Sequence, residues 1–441
     1  MHGPESLTFT VQPSKLIEAL DFVSIVKPRS LTAQEDSGAY LFRCARERNG
    51  RPLGYVYSRS HQHVARAGFN LEDLSGEGLL TMPARHVSIL KSKSVTEGFV
   101  TVTFRTLQKA DGDSFCTSVS SDGRVIYNYC HAIDPRLISP CDKDFAAACA
   151  NRGTTYNARV LRAGIHKARA FLPPEGAKDV AEYYKTLQIF DASRSEWAKG
   201  NGVLFCSDAS RAFYFEHETL RDKGLAIHLA HVPILQDFLR RCEGLTIYRG
   251  QRLSFAKNES THHEKDQILG WVHDAATHPR FAHYGLSRDK YVIIAPRAKL
   301  LEALNQARPL VARNRDRVKL CYTHKHPQTG GHTIHFEVHD SAGRAESVFV
   351  TTEDKRGPDG TTIELSLEED FECHVPFANF RSVIEDAADD FVELRIAPIP
   401  KDESCPRGGA MLRTIEEIEI AGDEAVNGTR CKVTRFTPSV L

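Results

Sequence analysis

No stretch of this chain approaches the roughly 20 consecutive apolar residues that a membrane-spanning helix needs, so no membrane partner is expected. Neither sign of charge is in excess: Lys plus Arg and Asp plus Glu each number 57. A protein that simply coats nucleic acid is strongly basic, and that class is excluded. A basic surface balanced by acids elsewhere is not. The 11 cysteines include no CxxC pair, which argues against a paired redox or zinc motif. Their scatter suits a reducing, cytoplasmic setting in which most thiols act as small apolar residues. The N-terminus, MHGPESLTFTV, has no basic head, long apolar stretch or cleavage site, so no secretory signal is expected.

Chemistry-bearing motifs are missing too. There is no P-loop, no GxGxxG after a strand and no GxSxG elbow. GDSFCTS and GNGVLFCSD each offer a serine and a cysteine, but no His or Asp stands at a spacing that implies a triad. The reading is therefore a non-enzyme, with no catalytic residue, no cofactor and no metal assigned.

What the chain does have is one pattern written three times. A short alternating strand runs into an amphipathic helix at LTFTVQPSKLIEAL, at TTYNARVLRAGIHKA and at KYVIIAPRAKLLEAL. A second block recurs in the same phase as LLTMPARHVSIL, AIHLAHVPILQDFL and FECHVPFANFRSVI, leading into GFVTVTF, GLTIYRGQRLSF and DFVELRIA. The spacing of roughly 140 residues is too long for a solenoid and matches a whole domain. For 441 residues the length prior also suggests about three domains. The expected division is 1–148, 149–287 and 288–441. Val100, Val102 and Phe104 alternate with Thr101 and Thr103, as in a strand with one buried face. Two amphipathic helices per unit would cover such a sheet, which makes each unit α+β. FDASRSEWAKGNG, KNESTHHEKDQ, HDAATHPRFAHYG, EDKRGPDG and PKDESCPRGG read as loops or connectors, as does DPRLISPCDKD at the end of the first unit.

The basic charge is most ordered in the helix after Asn157. At 100° per residue Arg159, Arg162, His166 and Arg169 fall in one narrow arc, with Lys167 further round. Val160, Leu161, Gly164, Ile165, Ala168 and Phe171 lie opposite. Asn157 is a good N-cap, and Pro173–Pro174 stops the helix. Such a row is either a solvated face or a set of phosphate contacts, which need positive charge and no base chemistry. Lys299 faces away from the Leu300, Leu301 and Leu304 stripe, and Lys91 and Lys93 add charge to the first unit's second helix. The tail EDAADD of the helix after Pro376 is acidic and breaks the pattern.

A histidine cluster in the third unit comprises His324, His326, His332, His335 and His339 around a hairpin turn at Pro327–Gly331. His335, Glu337 and His339 share one strand face by period 2 and could ligate Zn or Mn. Neighbours on one face stand about 7 Å apart, so closure would need the partner strand; the other reading is a polar outer face.

These blocks resemble the bacterial DNA polymerase III β subunit, the sliding clamp, over nearly the whole chain. FTVQPSKLIEAL is similar to that family's opening strand and helix, and VIYNYCHAIDPRLISP to the end of its first domain. CSDASRAFYF sits where the family carries a Thr-Asp-Gly-His-Arg-Leu signature, matching at Asp208 and Arg211, with Ser207 a conservative replacement. VTRFTPSVL resembles the family's C-terminal strand and tail, matching at Pro438 and Leu441.

The resemblance implies three copies of a clamp domain per chain. Two chains would join head to tail as a homodimer ring, with helices lining the hole and sheets outside. Double-stranded DNA would thread through without sequence readout, past Lys91, Lys93, Arg159, Arg162, His166, Lys167, Arg169 and Lys299. It also implies a pocket for short peptide motifs of a DNA polymerase and a clamp loader. The pocket would be formed by Ser207, Asp208, Ala209, Ser210, Arg211 and Ala212 with Thr437, Pro438, Ser439, Val440 and Leu441. Ala209, Ser210 and Ala212 replace Gly, His and Leu of the signature, and Thr437 and Ser439 stand where apolar tail residues are usual, so the pocket is less apolar. A clamp-like scaffold that binds partners without threading DNA is the alternative, and a metal-dependent hydrolase built on the histidines is the more distant one.

Overall fold

The computed structural model describes residues 6–27, 39–84, 87, 100–107, 114–121, 124–131, 141–174, 176–178, 180–191, 201–208, 211–260, 266–272, 291–311, 317–323, 327, 330–340, 343–350, 360–365, 370–399, 409–420 and 429–438. The loops and connectors expected from sequence lie largely outside these ranges, as do His324 and His326.

The threefold order recurs among the described elements, while the residues expected to form the first repeat's second helix lie largely outside them. The first repeat runs β1 (Ser6–Val11), α1 (Pro13–Val23), β2 (Ala39–Arg46), β3 (Pro52–Arg59), β4 (His63–Asn70), β5 (Asp73–Ser75), β6 (Gly78–Pro83), β7 (Val100–Leu107), β8 (Ser114–Ser121) and β9 (Arg124–His131). A connecting helix, α2 (Asp142–Cys149), precedes the second repeat. That repeat runs β10 (Thr154–Asn157), α3 (Ala158–Ala168), β11 (Thr186–Asp191), β12 (Gly202–Ser207), β13 (Ala212–His217), β14 (Leu225–His228), α4 (Val232–Leu239), β15 (Gly244–Arg249), β16 (Leu253–Asn258) and β17 (Gln267–Val272). The third runs β18 (Tyr291–Pro296), α5 (Arg297–Ala307), β19 (Arg317–Thr323), β20 (Thr333–Asp340), β21 (Gly343–Val350), β22 (Thr362–Leu365), β23 (Phe371–Pro376), α6 (Phe377–Glu385), β24 (Phe391–Ile399), β25 (Gly409–Ile420) and β26 (Thr429–Pro438).

Local chemistry repeats with the elements. In β1 the apolar Leu7, Phe9 and Val11 are buried while Thr8 and Thr10 turn outward, the alternation a half-covered strand requires. β1 pairs antiparallel with β7, β10 with β15 and β18 with β24. Thr8 meets Thr103 at 3.1 Å, Thr10 meets Thr101 at 3.2 Å, and Thr155 meets Thr246 at 3.1 Å, so the first two repeats share even these cross-strand hydroxyl contacts.

The chain divides into two compact units whose boundaries differ from the repeats. One comprises Met1–Arg162 and His231–Asp274, the other Ala163–Ala230 and Ala275–Leu441, so the middle repeat contributes to both. The reason is strand pairing. In the first unit the last strand of the second repeat, β17, pairs with β4 of the first repeat, with Leu269 opposite Ala65. This joins the two repeats in one eight-stranded sheet, β10-β15-β16-β17-β4-β3-β2-β6, beside the five-stranded sheet β5-β1-β7-β8-β9. In the second unit β26, the last strand of the third repeat, pairs with β13, with Tyr214 opposite Thr434. The result is the nine-stranded sheet β14-β11-β12-β13-β26-β25-β24-β18-β22, beside the four-stranded sheet β21-β20-β19-β23. β12 and β13 are buried along their whole lengths, as expected of strands in the middle of a covered sheet.

One element departs from the sequence reading. The stretch expected as a connector after Pro140 contains α2, and Asp142 at its start is held from three sides. The Tyr57 hydroxyl lies 2.8 and 2.7 Å from its two carboxylate oxygens, Arg66 Nη1 donates at 2.7 Å, and Arg43 Nη1 donates as well. The Arg66 guanidinium lies over both the Tyr55 and the Phe145 rings, 4.9 and 5.1 Å from their centroids. Phe145 belongs to α2, so the helix is fastened to the sheet by charge and by stacking together.

Candidate functional site

The basic helix forms as its periodicity requires. Asn157 Oδ1 accepts from the backbone N–H of Arg159 at 3.0 Å and of Val160 at 3.2 Å, capping the first turn of α3. A 3-10 turn at Arg169–Phe171 ends it before Pro173. Val160, Leu161, Ile165, Ala168 and Phe171 are at most 1% exposed, whereas Arg162, His166 and Arg169 are exposed and Arg159 and Lys167 half-buried. Burying each of the large apolar side chains contributes on the order of 2 kcal/mol, so the helix has one stable way down and the cations are left outward. Gly164 makes the seat close: a Cβ there would lie 2.9 Å from Phe215 and 3.1 Å from Leu204. Arg159 Nη2 stands 3.4 Å from Glu243 Oε1 at an exposed site, a contact too weak to neutralise the row.

Lys299 is exposed on α5, while Leu300 and Leu304 are buried at 2%. Lys91 and Lys93 lie outside the described residues.

The second candidate site is the turn between β12 and β13. Asp208 and Arg211 close it reciprocally: Arg211 N donates to Asp208 Oδ1 at 2.7 Å, and Asp208 N to Arg211 O at 3.1 Å. Ser207 Oγ donates to the same carbonyl at 2.7 Å. The Arg211 side chain returns to Asp208 Oδ2 through Nε at 3.0 Å and Nη2 at 2.7 Å. Its Nη2 also donates to the Ala170 carbonyl at 2.9 Å, just past the end of α3, and its Nη1 donates to Ser382 Oγ on α6. The guanidinium lies over the Phe171 ring, 5.3 Å from its centroid, and that ring stacks on Phe213 at 5.2 Å.

Sequence distance is bridged at the same place. Ala212 is paired with Phe436, so the turn opens beside the stretch that leads to Thr437 and Pro438, which pair with Leu412 and Met411. The backbone thus brings Ser207, Asp208, Arg211 and Ala212 next to the chain's last strand. Ala209, Ser210, Ser439, Val440 and Leu441 lie outside the described residues.

The remaining candidates among the described residues are held within the fold. Cys206 is fully buried, its Sγ 3.2 Å from the Ala168 carbonyl, and burial pushes its thiol well above the usual range, leaving no thiolate nucleophile. His332 is buried with Nδ1 2.7 Å from the Tyr322 hydroxyl. On the strand face of His335 and Glu337, cross-strand register sets Cys321 opposite His335 and Lys319 opposite Glu337. Lys319 Nζ is 2.9 Å from Glu372 Oε2. Among the described residues no group of three or more His, Cys, Asp or Glu is arranged to hold a metal ion.

No protein-family model matches the chain, and no curated protein is similar to it in sequence. Solved structures are similar to it in fold. The DNA polymerase III subunit beta of Pseudomonas aeruginosa superposes with a TM-score of 0.62 at 14% identity, covering 98% of this chain and all of that one. The Thermotoga maritima DNA polymerase III beta subunit gives 0.56 at 14% identity over 99% of this chain and 100% of its own. A sliding clamp from P. aeruginosa bound to griselimycin gives 0.59 at 13% identity with complete coverage of both. The fold is that of the sliding clamp.

On this clamp fold Ala212, the residue after Arg211, pairs with Phe436 of the strand that ends at Pro438. The resemblance did not reveal the partners that hold Arg211, namely Ala170, Phe171 and Ser382. Phe171 was legible only as the last apolar position of a helix, and Ser382 carried no signal.

Proposed function

We propose that this protein is a ring-forming DNA sliding clamp, a processivity factor that acts by topology. It would encircle duplex DNA and tether a DNA polymerase and other replication or repair proteins, holding them at high effective concentration without a chemical step. The three repeats would serve as domains at 1–148, 149–287 and 288–441, and two chains joined head to tail would close the ring.

The observation that carries this reading is the rule of strand pairing between repeats. The last strand of the second repeat pairs with β4 of the first, and the last strand of the third pairs with β13 of the second. β4, β13 and β21 are equivalent strands, as are β9, β17 and β26. Among the described residues β9 and β21 are left as sheet edges, each eight residues long. Long uncovered edges are an aggregation hazard unless something pairs with them. A second copy applying the same rule, β9 of one chain against β21 of the other, covers both edges and closes the assembly.

The exposed Arg162, His166 and Arg169 with the half-buried Arg159 and Lys167 support phosphate contact inside such a ring, where no base edge need be read. Lys91, Lys93 and Lys299 belong to the same reading. The pocket of Ser207–Ala212 and Thr437–Leu441 would take short peptide motifs from the polymerase and the clamp loader.

Two measurements test the proposal. Negative-stain images of the purified protein should show closed rings of six similar lobes, and the protein should be retained on nicked circular DNA but lost from the linearised form. Compact monomers, or equal retention on both DNAs, would favour a scaffold that does not thread DNA. Removal of residues 437–441 should abolish binding of a short peptide motif from the partner polymerase and leave the rings intact; survival of binding would mean that the pocket lies elsewhere.

A further inference from the structure

We propose that Arg211 is a positioning residue, a clasp that holds the partner turn, the end of the basic helix and α6 in one register, and not a group that reads the partner peptide. This rests on the clamp reading above and concerns how its two sites are joined.

A guanidinium has five N–H donors in a fixed planar fork. In Arg211 four are spent inside the protein: Nε on Asp208, one Nη1 donor on Ser382, and both Nη2 donors on Asp208 and the Ala170 carbonyl. The side chain is 20% exposed and its carboxylate partner 13%. Among the described residues at most one donor is left for anything that arrives from outside, so an incoming peptide meets a guanidinium already engaged and not a free charge. The three acceptors come from separate parts of the chain. Ala170 follows α3 directly, two residues after its last residue and one after Arg169 of the cationic row. Asp208 belongs to the turn itself. Ser382 sits on α6, where its Oγ is also 3.4 Å from Asp386 Oδ2, in the acidic tail of that helix.

A second contact links the same pieces without charge. Phe171 lies under the guanidinium and against Phe213, the second residue of β13. Any shift of the end of α3 therefore moves both the ring beneath Arg211 and the carbonyl it grips. Lysine keeps the charge at this position but cannot reproduce four donors in a plane, so Arg211→Lys should behave as a broken clasp and not as a conservative change.

The test is hydrogen exchange read by mass spectrometry on the full-length protein, comparing wild type with Arg211→Lys and with Ser382→Ala. In DNA-free protein, Arg211→Lys should speed exchange about tenfold in three places together: the turn at 206–213, the helix end at 168–172 and α6 at 377–386. Exchange in β15–β17 should be unchanged, which separates a lost clasp from a lost fold. Ser382→Ala should release α6 and leave the helix end protected. Faster exchange confined to the turn would overturn the proposal, because Arg211 would then be only a local brace for its own loop.

Adding nicked circular duplex should change exchange at 206–213 by about fivefold in wild type and leave it unaltered in Arg211→Lys, as linkage through a shared clasp requires. The same DNA response in both proteins would overturn the linkage. A wild type that retains no duplex would sink the DNA reading of the preceding subsection, while the DNA-free comparison would still decide the clasp.

Discussion

The imidazoles of His63 and His231 share a hydrogen bond, Nε2 to Nδ1 at 2.9 Å, although the residues are 168 apart in sequence. The rings meet edge to face with centroids 4.9 Å apart. An N···N bond of this kind needs one ring to donate and the other to accept, so it does not survive protonation of both. Burial, and then the neighbouring His231, lower the His63 pKa from 6.5 to about 4.

That relationship makes stability fall on the acid side. Above pH 6.5 the ring is neutral in folded and unfolded chains alike, and its contribution is fully present. Between pH 6.5 and about 4 the unfolded chain takes up a proton that the folded one refuses, so stability is lost progressively as the pH drops. His63 is partly solvated, so the loss should be about 1–2 kcal/mol, less than the full linkage value. Urea unfolding of the first unit at pH 7.5 and pH 5 should show a smaller pH dependence for His63→Gln than for wild type. Equal dependence in the two proteins would sink the assignment.

Asp142 should matter for the same unit through a different balance. Burial alone would raise its pKa, but the hydrogen bonds from Tyr57, Arg66 and Arg43 outweigh it and hold the carboxyl below its usual range. The carboxylate therefore contributes stability that is present above the ordinary Asp range and is lost as the pH falls through the depressed folded value. Replacing it leaves Arg66, whose side chain is 9% exposed, with Asp266 as its one remaining carboxylate partner among the described residues. Asp142→Asn should cost about 2–4 kcal/mol in denaturant melts, and Asp142→Asn with Arg66→Met should cost less than the sum of the two single changes.

The basic row predicts a salt effect. If Arg162 and Arg169 each neutralise a phosphate, reversing both to Glu should weaken retention on circular DNA. It should also lower the slope of log affinity against log salt by about 2, at roughly 0.9 per lost contact. An unchanged slope would mean that the row is a solvated face.

Among the described residues Gly202 makes the tightest glycine contact of the second unit, since a Cβ there would lie 1.9 Å from the Leu220 carbonyl oxygen. The obstacle is backbone and cannot swing aside. Gly202→Ala should therefore destabilise the protein by about 1–3 kcal/mol or more, read as a drop in melting temperature.

Much of this was legible in one dimension. The faces of α3, the cap at Asn157 and the threefold order of elements follow from periodicity and propensity, which act over a few residues and need no knowledge of the rest of the chain. The helix α2 was not legible, because DKDFAAAC has only one large apolar residue and a neighbouring proline, and resembles a connector. Its place comes from Arg43, Arg66 and Tyr57, which lie 99, 76 and 85 residues from Asp142.

The turn at Asp208–Arg211 could be located from its likeness to a known signature, but its role could not be read there. Arg211 is held by Ala170, 41 residues away, and by Ser382, 171 residues away. Sequence by itself determined the repeat, the strand and helix faces and the cationic row, because each is a local pattern of apolar and charged side chains. Only the tertiary structure decided that β17 joins β4 and that β26 joins β13. It alone decided, too, that one arginine gathers three distant segments. Backbone pairing and guanidinium bonds depend on which groups the fold brings within about 3 Å, and no local pattern encodes that.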